Sequence, residues 1–182
     1  MTTIDLFTRL AQTHKPDCLM SLDGPPPEVV PDPDEMARTL GSDAVAAYAR
    51  ACRPVYEDLR RIIGQLAGLL ILARLTSKTE MADLPEMTQC RARWHDSAVR
   101  LGQLAAPPGL DRHRSQLDNA HRFAGLVMQG FTALRAGAEN TAPLDQMSVR
   151  IKRAYAHLDA ASSTKAGLQM VDFTHACCSC AQ

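Results

Sequence analysis

Apolar residues recur along most of this chain at spacings of three and four, the repeat of an α-helix that packs one side against a core. The longest run follows Ser42, which can cap a helix, and we expect it to extend for about 33 residues, roughly 50 Å. No segment alternates with the two-residue period of a strand. The predicted core positions of this helix are Val45, Tyr48, Cys52, Val55, Leu59, Ile62, Leu66, Leu69 and Ala73, with Tyr56, Ile63 and Leu70 beside them.

Proline and acidic residues mark the starts of two other helices. The run DPDE at residues 32–35 combines a capping residue, proline at the first helical position and an acid in the first turn, so it predicts a short helix that ends at Gly41. The run DLPE at residues 83–86 repeats this signal, with Asp83 as the cap of a second long helix that ends at the APPG sequence. The predicted core positions of that helix are Met87, Cys90, Trp94, Ala98, Leu101 and Leu104.

Two more long helices follow. The third is expected from about Leu110 to Ala136, with Gly137 as its stop. The fourth is expected to start at Thr141 as its cap and to run to His175 or beyond. Their predicted core positions are Leu110, Leu117, Ala124, Val127, Met128, Phe131 and Leu134 in the third, and Leu144, Met147, Ile151, Ala154, Leu158, Ala161 and Leu168 in the fourth.

Four amphipathic helices with short connections predict an all-α protein, an antiparallel four-helix bundle. We expect residues 1–31 to form a proline-rich N-terminal arm with one or two short helices, residues 32–176 the helical bundle, and residues 177–182 a cysteine-rich C-terminal tail. Residues 1–35 hold seven acids and two bases, whereas the remainder carries a net charge of +5. The arm therefore either lies across a basic side of the bundle or stays solvated.

Charge and hydropathy narrow the class of protein. The 182 residues include 20 Lys and Arg against 20 Asp and Glu, which argues against nucleic acid because a phosphate backbone calls for a basic excess. The most apolar stretch, Ile62–Leu75, is too short and too polar to span a bilayer, so we expect a buried core helix and no membrane partner. The first residues lack the pattern of a secretory signal, which predicts a cytoplasmic location with reduced cysteines.

Missing motifs exclude several enzyme and cofactor classes. A ferritin-like di-iron site needs Glu-x-x-His pairs, and the six glutamates of this chain form none. The chain also lacks Cys-x-x-Cys-His, a glycine-rich phosphate loop, HExxH and Gly-x-Ser-x-Gly. The run from Gly64 to Gly68 has the Gly-x-x-x-Gly spacing, and we expect it to let a neighbouring helix approach closely. Enzymatic activity stays uncertain, and the balance favours a protein that is not an enzyme.

The end of the chain carries the most concentrated candidate chemistry. His175, Cys177, Cys178 and Cys180 supply one imidazole and three thiols within six residues. Such ligands select soft or borderline ions such as Zn or Cu, and four of them suit a tetrahedral site. The spacing departs from that of zinc sites, so a metal would require the end of the helix to unwind or a second copy to supply ligands. The alternatives are exposed thiols that act as a redox sensor or modification site, and cysteines that pack as small hydrophobes.

Histidines and arginines form two weaker patterns. His113 and His121 share one face of the third long helix, where they could contribute to a site, but we favour boundary histidines bonded to carboxylates such as Asp118. Trp94 and His95 lie among arginines, which predicts a local basic surface whose partner is the acidic arm, an acidic protein or water. The arginines concerned are Arg91, Arg93, Arg100, Arg112, Arg114 and Arg122.

Three functions follow from these patterns. The leading interpretation is a non-catalytic helical-bundle accessory or interaction protein that contacts a protein partner, or a second copy of itself, through the arm and a helix face. The second is a metal-binding or redox-responsive protein that uses the C-terminal His/Cys cluster. The third is a protein whose Cys-rich C-terminus is a substrate for chemical modification. An enzyme is supported least, because spacing alone pairs no nucleophile with a base.

Overall fold

Helices account for the regular structure of the described part of this protein. The computed structural model describes residues 32–76, 80–134 and 139–170, and in these ranges no β-strand occurs, which confirms the all-α prediction. None of the helices described there has the length and hydrophobicity needed to cross a bilayer. The predicted arm and tail lie outside the described residues. The α-helices of the described ranges are α1 (Pro33–Leu40), α2 (Asp43–Thr76), α3 (Pro85–Gln103), α4 (Asp111–Thr132) and α5 (Thr141–Ala160).

Helix α1 starts and stops as its sequence predicts. The Asp32 carboxylate accepts hydrogen bonds from the backbone N–H groups of Asp34, at 2.9 Å, and Glu35, at 3.2 Å. These bonds satisfy two of the donors that a helix N-terminus leaves without intrahelical partners. Gly41 ends the helix with a φ of 71°, in the left-handed region that glycine adopts without steric cost.

Helix α2 is the central element of the fold. It contains 34 residues, and Ser42 caps it by accepting a 3.5 Å hydrogen bond from the Val45 N–H. Every predicted core position of α2 is buried except Val45, which is half-buried. Because α2 packs against all four other helices, its apolar stripe lies at the centre of one continuous hydrophobic core.

Two helix starts differ by one residue from the prediction. The cap of α3 is Leu84 rather than Asp83, because Asp83 closes a 3-10 helix, Glu80–Asp83, and Pro85 fixes the first helical position. The Leu84 carbonyl then accepts the N–H groups of Met87 and Thr88. The cap of α5 is Asn140, so Thr141 is its first helical residue rather than its cap.

Two helices end earlier than predicted. Helix α4 stops at Thr132 instead of Ala136, because the Ala133 N–H bonds to the carbonyls of Gly130 and Phe131 and tightens the last turn. The predicted stop at Gly137 lies outside the described residues.

Helix α5 stops at Ala160 instead of reaching His175. Its continuation contains consecutive hydroxyl side chains that favour turns over helix. Ser163 and Leu168 exchange two backbone hydrogen bonds, of 2.7 and 2.9 Å, around a 3-10 turn in which Gly167 has a φ of 67°. Leu168 is nevertheless buried, as predicted, because the turn folds it back onto the core.

Two glycines of α4 lie in close contact with neighbouring helices. A Cβ atom on Gly130 would lie 2.5 Å from Cγ and Sδ of Met147 on α5. A Cβ atom on Gly125 would lie 2.9 Å from Cζ2 of Trp94 on α3. An alanine at Gly125 would have to displace a rigid indole, whereas at Gly130 the flexible Met147 side chain would have to shift. Helix α4 thus brings its neighbours close to its backbone at two points.

Candidate functional site

The predicted metal ligands do not fall in the described part of the chain. His175, Cys177, Cys178 and Cys180 lie outside the described residues, as does the arm at residues 1–31. Within residues 32–76, 80–134 and 139–170, no group of three His, Cys, Asp or Glu side chains is arranged to hold a metal ion.

Two cysteines lie in the core, one on α2 and one on α3. Cys52 and Cys90 are fully buried and form no disulfide. Burial raises the pKa of each thiol to about 11, because a thiolate loses its hydration there. Both stay protonated at neutral pH, where a thiol is a poor nucleophile and a poor metal ligand. These two cysteines act as small apolar residues of the core.

His113 connects three helices. Its Nε2 lies 3.0 Å from the Ala161 carbonyl at the end of α5, and its Nδ1 lies 3.0 Å from the hydroxyl of Tyr48 on α2. A carbonyl only accepts, so Nε2 carries the proton and Nδ1 accepts the Tyr48 O–H. Burial, reinforced by the nearby Cys52 thiol, raises the pKa of Tyr48 and keeps the hydroxyl a donor. His113 is therefore a cross-brace between helices.

His121 and Trp94 form a reciprocal contact between α3 and α4. The Trp94 indole N–H donates to the His121 carbonyl at 3.0 Å, and His121 Nε2 donates to the Trp94 carbonyl at 2.9 Å. The two rings stack with centroids 4.4 Å apart and an interplanar angle of 10°. The Ser97 hydroxyl, which is fully buried, donates to the same Trp94 carbonyl. Burial lowers the pKa of His121, so the ring is neutral at pH 7.

His157 makes the third such contact, between α5 and α4. Its Nδ1 lies 2.6 Å from the Gln116 side-chain oxygen, and its ring stacks on Phe123 with centroids 5.5 Å apart. The predicted carboxylate partners are thus wrong for His113 and His121, and the hydrogen bonds of all three histidines go to carbonyl, hydroxyl and amide groups. The reason is direction: the rings turn towards the neighbouring helix, whereas Asp118 stays exposed, 3.9 Å from Arg114.

The predicted basic surface is partly neutralised by an acid on α2. Asp58 accepts a hydrogen bond from Arg100 and lies 3.7 Å from Nε of Arg93, which also donates to Gln65 at 2.9 Å. A shallow depression of about 320 Å³ beside them includes Asp96 in its lining. Two acids and two bases balance there, and the Trp94 ring packs against α4. Of the six arginines of the predicted basic surface, Arg93 and Arg100 are thus paired with acid, and an acidic partner for the remainder stays a prediction.

An exposed apolar surface lies instead on the C-terminal half of α2. We call it the α2 face, and it consists of Gly64, Gly68, Ile71, Leu72 and Leu75. The three aliphatic side chains are 59%, 41% and 79% exposed, respectively. No described residue comes within 4 Å of a Cβ placed on either glycine. The expected close approach of a helix at these glycines is therefore not made within the described part of the chain.

A second depression adjoins the α2 face. Its volume is about 380 Å³, and its lining includes Gly68 and Leu72 from the face, Leu84 from the connection to α3, and Glu86 from the first turn of α3. The lining is mainly apolar, and Gln65 and Glu86 are its polar members. The α2 face thus consists of two glycines and three large aliphatic residues, and a mainly apolar depression adjoins it.

The prediction of a buried core helix for this stretch is confirmed for Ile62, Leu66 and Leu69, whereas Ile71, Leu72 and Leu75, which are not among the predicted core positions, are exposed. The sequence pattern does contain an indication of this exposed apolar surface. Residues 62–75 are apolar on nearly every side of the helix, which is more than one core-facing stripe requires.

Comparison with known proteins gives no relative with which these features can be compared. No protein-family model matches the chain, and no curated protein or solved structure is significantly similar to it.

Proposed function

We propose that this chain is a non-catalytic interaction protein that binds another protein through the α2 face. The observation that carries the proposal is the exposure of Ile71, Leu72 and Leu75 beside two uncovered glycines. Covering apolar surface releases about 25 cal/mol per Å². Contiguous exposed apolar patches are typical of protein–protein binding sites.

We further propose that the helices form an antiparallel four-helix scaffold. Contacts between opposite helix ends support it. Arg114, near the start of α4, donates to the Leu101 carbonyl near the end of α3 at 3.3 Å. Arg74, near the end of α2, pairs at 2.6 Å with Asp145 near the start of α5. Such a scaffold presents the α2 face in a fixed conformation, so binding need not order a flexible segment.

The polar groups of the described core support a non-catalytic role. The buried thiols are protonated at neutral pH. Both ring nitrogens of His113 and the Nε2 atom of His121 form hydrogen bonds between helices. Each group therefore has a packing function that accounts for its position.

A site-specific photo-crosslinker tests the proposal. We expect p-benzoylphenylalanine in place of Leu75 to give an adduct of one defined mass in cells, and the same replacement of Val99, an exposed residue of α3, to give none. An adduct of twice the chain mass would identify a second copy as the partner. No adduct at position 75, or the same adduct at both positions, would contradict the proposal.

The second candidate function, a metal-binding or redox-responsive protein, rests on the His175, Cys177, Cys178 and Cys180 cluster in the sequence. Zn or Cu that co-purifies with the chain and is lost in a Cys177→Ser, Cys178→Ser, Cys180→Ser variant would favour it. A mass shift confined to this cluster would favour covalent modification instead. A cytoplasmic location is proposed with either function, and the unpaired state of Cys52 and Cys90 is consistent with it.

A further inference from the structure

We propose that the partner of the α2 face is the same face of a second copy, with the two α2 helices antiparallel and crossing at Gly68. This inference rests on the proposed function, because it names the partner that the α2 face binds. The product would be a two-fold symmetric dimer in which each copy contributes identical residues.

The face is complementary to itself in shape. Gly64 and Gly68 lie one turn apart and leave a hollow, whereas Leu72 and Leu75 project further along the same face. When two such helices run antiparallel about Gly68, residue 64 of one copy is opposite residue 72 of the other. Each Leu72 then fills the space over the partner copy's glycine. A parallel pair would place glycine opposite glycine and leucine opposite leucine, leaving voids that cost dispersion energy.

Charges at the two ends of the face favour the same orientation. Arg61 is exposed one turn before Gly64 and makes no ion pair with a described residue. Glu86 is exposed and lines the hollow beside Gly68 and Leu72, displaced from Arg61 along the face. An antiparallel pair brings Arg61 of each copy towards Glu86 of the other. A parallel pair would bring like charges together, which complementary interfaces avoid.

The extent of the face indicates a weak dimer. From Gly64 to Leu75 the helix advances roughly 16 Å. An interface centred on so short a stretch belongs to the small, transient class, so we expect a dissociation constant on the order of micromolar. The dimer should therefore dissociate on dilution.

Sedimentation of the full chain across micromolar to millimolar concentrations provides the first test. We expect the wild type to pass from monomer to dimer and Ile71→Glu to weaken the dimer by at least about ten-fold. Val99→Glu is the matched control, since Val99 is 63% exposed on α3 and Ile71 is 59% exposed. Helix content from circular dichroism should be equal in all three chains.

Charge exchange in trans tests the orientation. Arg61→Glu alone and Glu86→Arg alone should each weaken self-association, because each places two like charges at both ends of the interface. An equimolar mixture should recover a heterodimer, because the glutamate introduced into one chain then meets the arginine introduced into the other. At the opposite end of the same heterodimer, the unaltered Arg61 of one chain meets the unaltered Glu86 of the other. Recovery in the mixture cannot come from a repaired fold, because each chain keeps its own substitution.

Gly68→Ala separates the dimer from the stability of the monomer. Alanine favours helix over glycine, and the Cβ has open space in the monomer, so the monomer should unfold at higher denaturant concentration. The same methyl group lies on the proposed symmetry axis, so dimerisation should weaken. A chain that stays monomeric throughout, or a dimer insensitive to Ile71→Glu, overturns the dimer. If that chain still gives a position-75 adduct of a different mass, the proposed function survives; if it gives none, both fail.

Discussion

Tyr48 and Tyr56 lie two turns apart on α2, and both are buried, but their hydroxyls differ in hydrogen bonding. The Tyr48 hydroxyl donates to His113, whereas the Tyr56 hydroxyl is buried without a hydrogen-bond partner among the described residues. Burial raises the pKa of Tyr56 to about 12, so this hydroxyl is neutral at physiological pH. A neutral, unpartnered hydroxyl loses its hydration on folding and gains little in return.

Substitution by phenylalanine should therefore affect the free energy of unfolding differently at the two positions. We expect Tyr48→Phe to lower the free energy of unfolding by about 1 kcal/mol, because His113 loses its donor. Tyr56→Phe should leave stability unchanged or raise it, because it removes only an unpartnered hydroxyl. Urea unfolding followed by circular dichroism measures both, and the two variants serve as each other's control. Equal losses in both would contradict the hydrogen-bond assignment.

His121 should make stability depend on pH. Burial lowers its folded-state pKa below the ordinary value of 6.5, so the unfolded chain binds the proton more readily. The contribution of the neutral ring is present above that ordinary value and is lost as the pH falls from 6.5 through the lowered pKa. Protonating Nδ1 would also place a charge in the contact with Trp94.

His121→Gln isolates this effect, because a glutamine N–H can replace the Nε2 donor without titrating. We expect the variant to lose less stability than the wild type between pH 7 and pH 5, as measured by urea unfolding at each pH. His95→Gln is the control, since His95 is exposed. Parallel pH profiles for wild type and His121→Gln would show that His121 does not carry the dependence.

At the scale of the helices, the sequence predicts starts and core stripes better than ends. The start of α1 depends on four adjacent residues that act locally, so Asp32 and Pro33 have the predicted roles. Its end depends on the single residue Gly41, which also acts locally. The ends of α4 and α5 depend on competition between continued helix and tertiary contacts. Leu168 shows why: its burial is satisfied equally by a longer helix or by the turn that Gly167 closes, and the periodicity does not distinguish them.

Glycines inside helices also require the structure for their interpretation. Gly68 and Gly125 both occupy helix interiors, and nothing in their local sequence separates them. The Gly125 backbone contacts the Trp94 indole, a rigid ring held by hydrogen bonds, whereas no described residue lies near a Cβ placed on Gly68. Substitution by alanine should therefore change the free energy of unfolding in opposite directions at the two positions.

Gly125→Ala should lower the free energy of unfolding by about 1–3 kcal/mol, because its methyl group must displace the indole. Gly68→Ala should raise it by about 0.5–1 kcal/mol through helix propensity. Denaturant unfolding at concentrations too low for dimerisation gives both values. A stabilising Gly125→Ala would mean that Trp94 moves away without loss of packing.

At the scale of the whole molecule, the helical class and most of the core follow from the sequence, whereas the exposed face does not. A pattern of apolar residues identifies helices that need covering but does not specify how much of each is covered. The core uses the side of α2 that carries Leu66, Leu69 and Ala73, and leaves Ile71 and Leu75 exposed. The sequence identifies the candidate histidines but not their hydrogen-bond partners, because those partners come from helices distant in sequence.

The two core cysteines can report whether this molecule opens as one unit. Cys52 on α2 and Cys90 on α3 are fully buried in the same hydrophobic core, and burial holds their pKa values near 11. Labelling by a thiol reagent therefore requires the core to open and expose them.

If unfolding is a single cooperative transition, both cysteines should label at the rate of global opening and respond equally to added denaturant. Native-state labelling with iodoacetamide, followed by mass spectrometry of the Cys52 and Cys90 peptides, measures the two rates in one sample. Gly125→Ala should accelerate both by the same factor, although Gly125 contacts α3 and not Cys52 directly, because it destabilises the shared core. Faster labelling of Cys90 alone would mean that α3 detaches while α2 stays packed. The helices would then form two cooperative units rather than one.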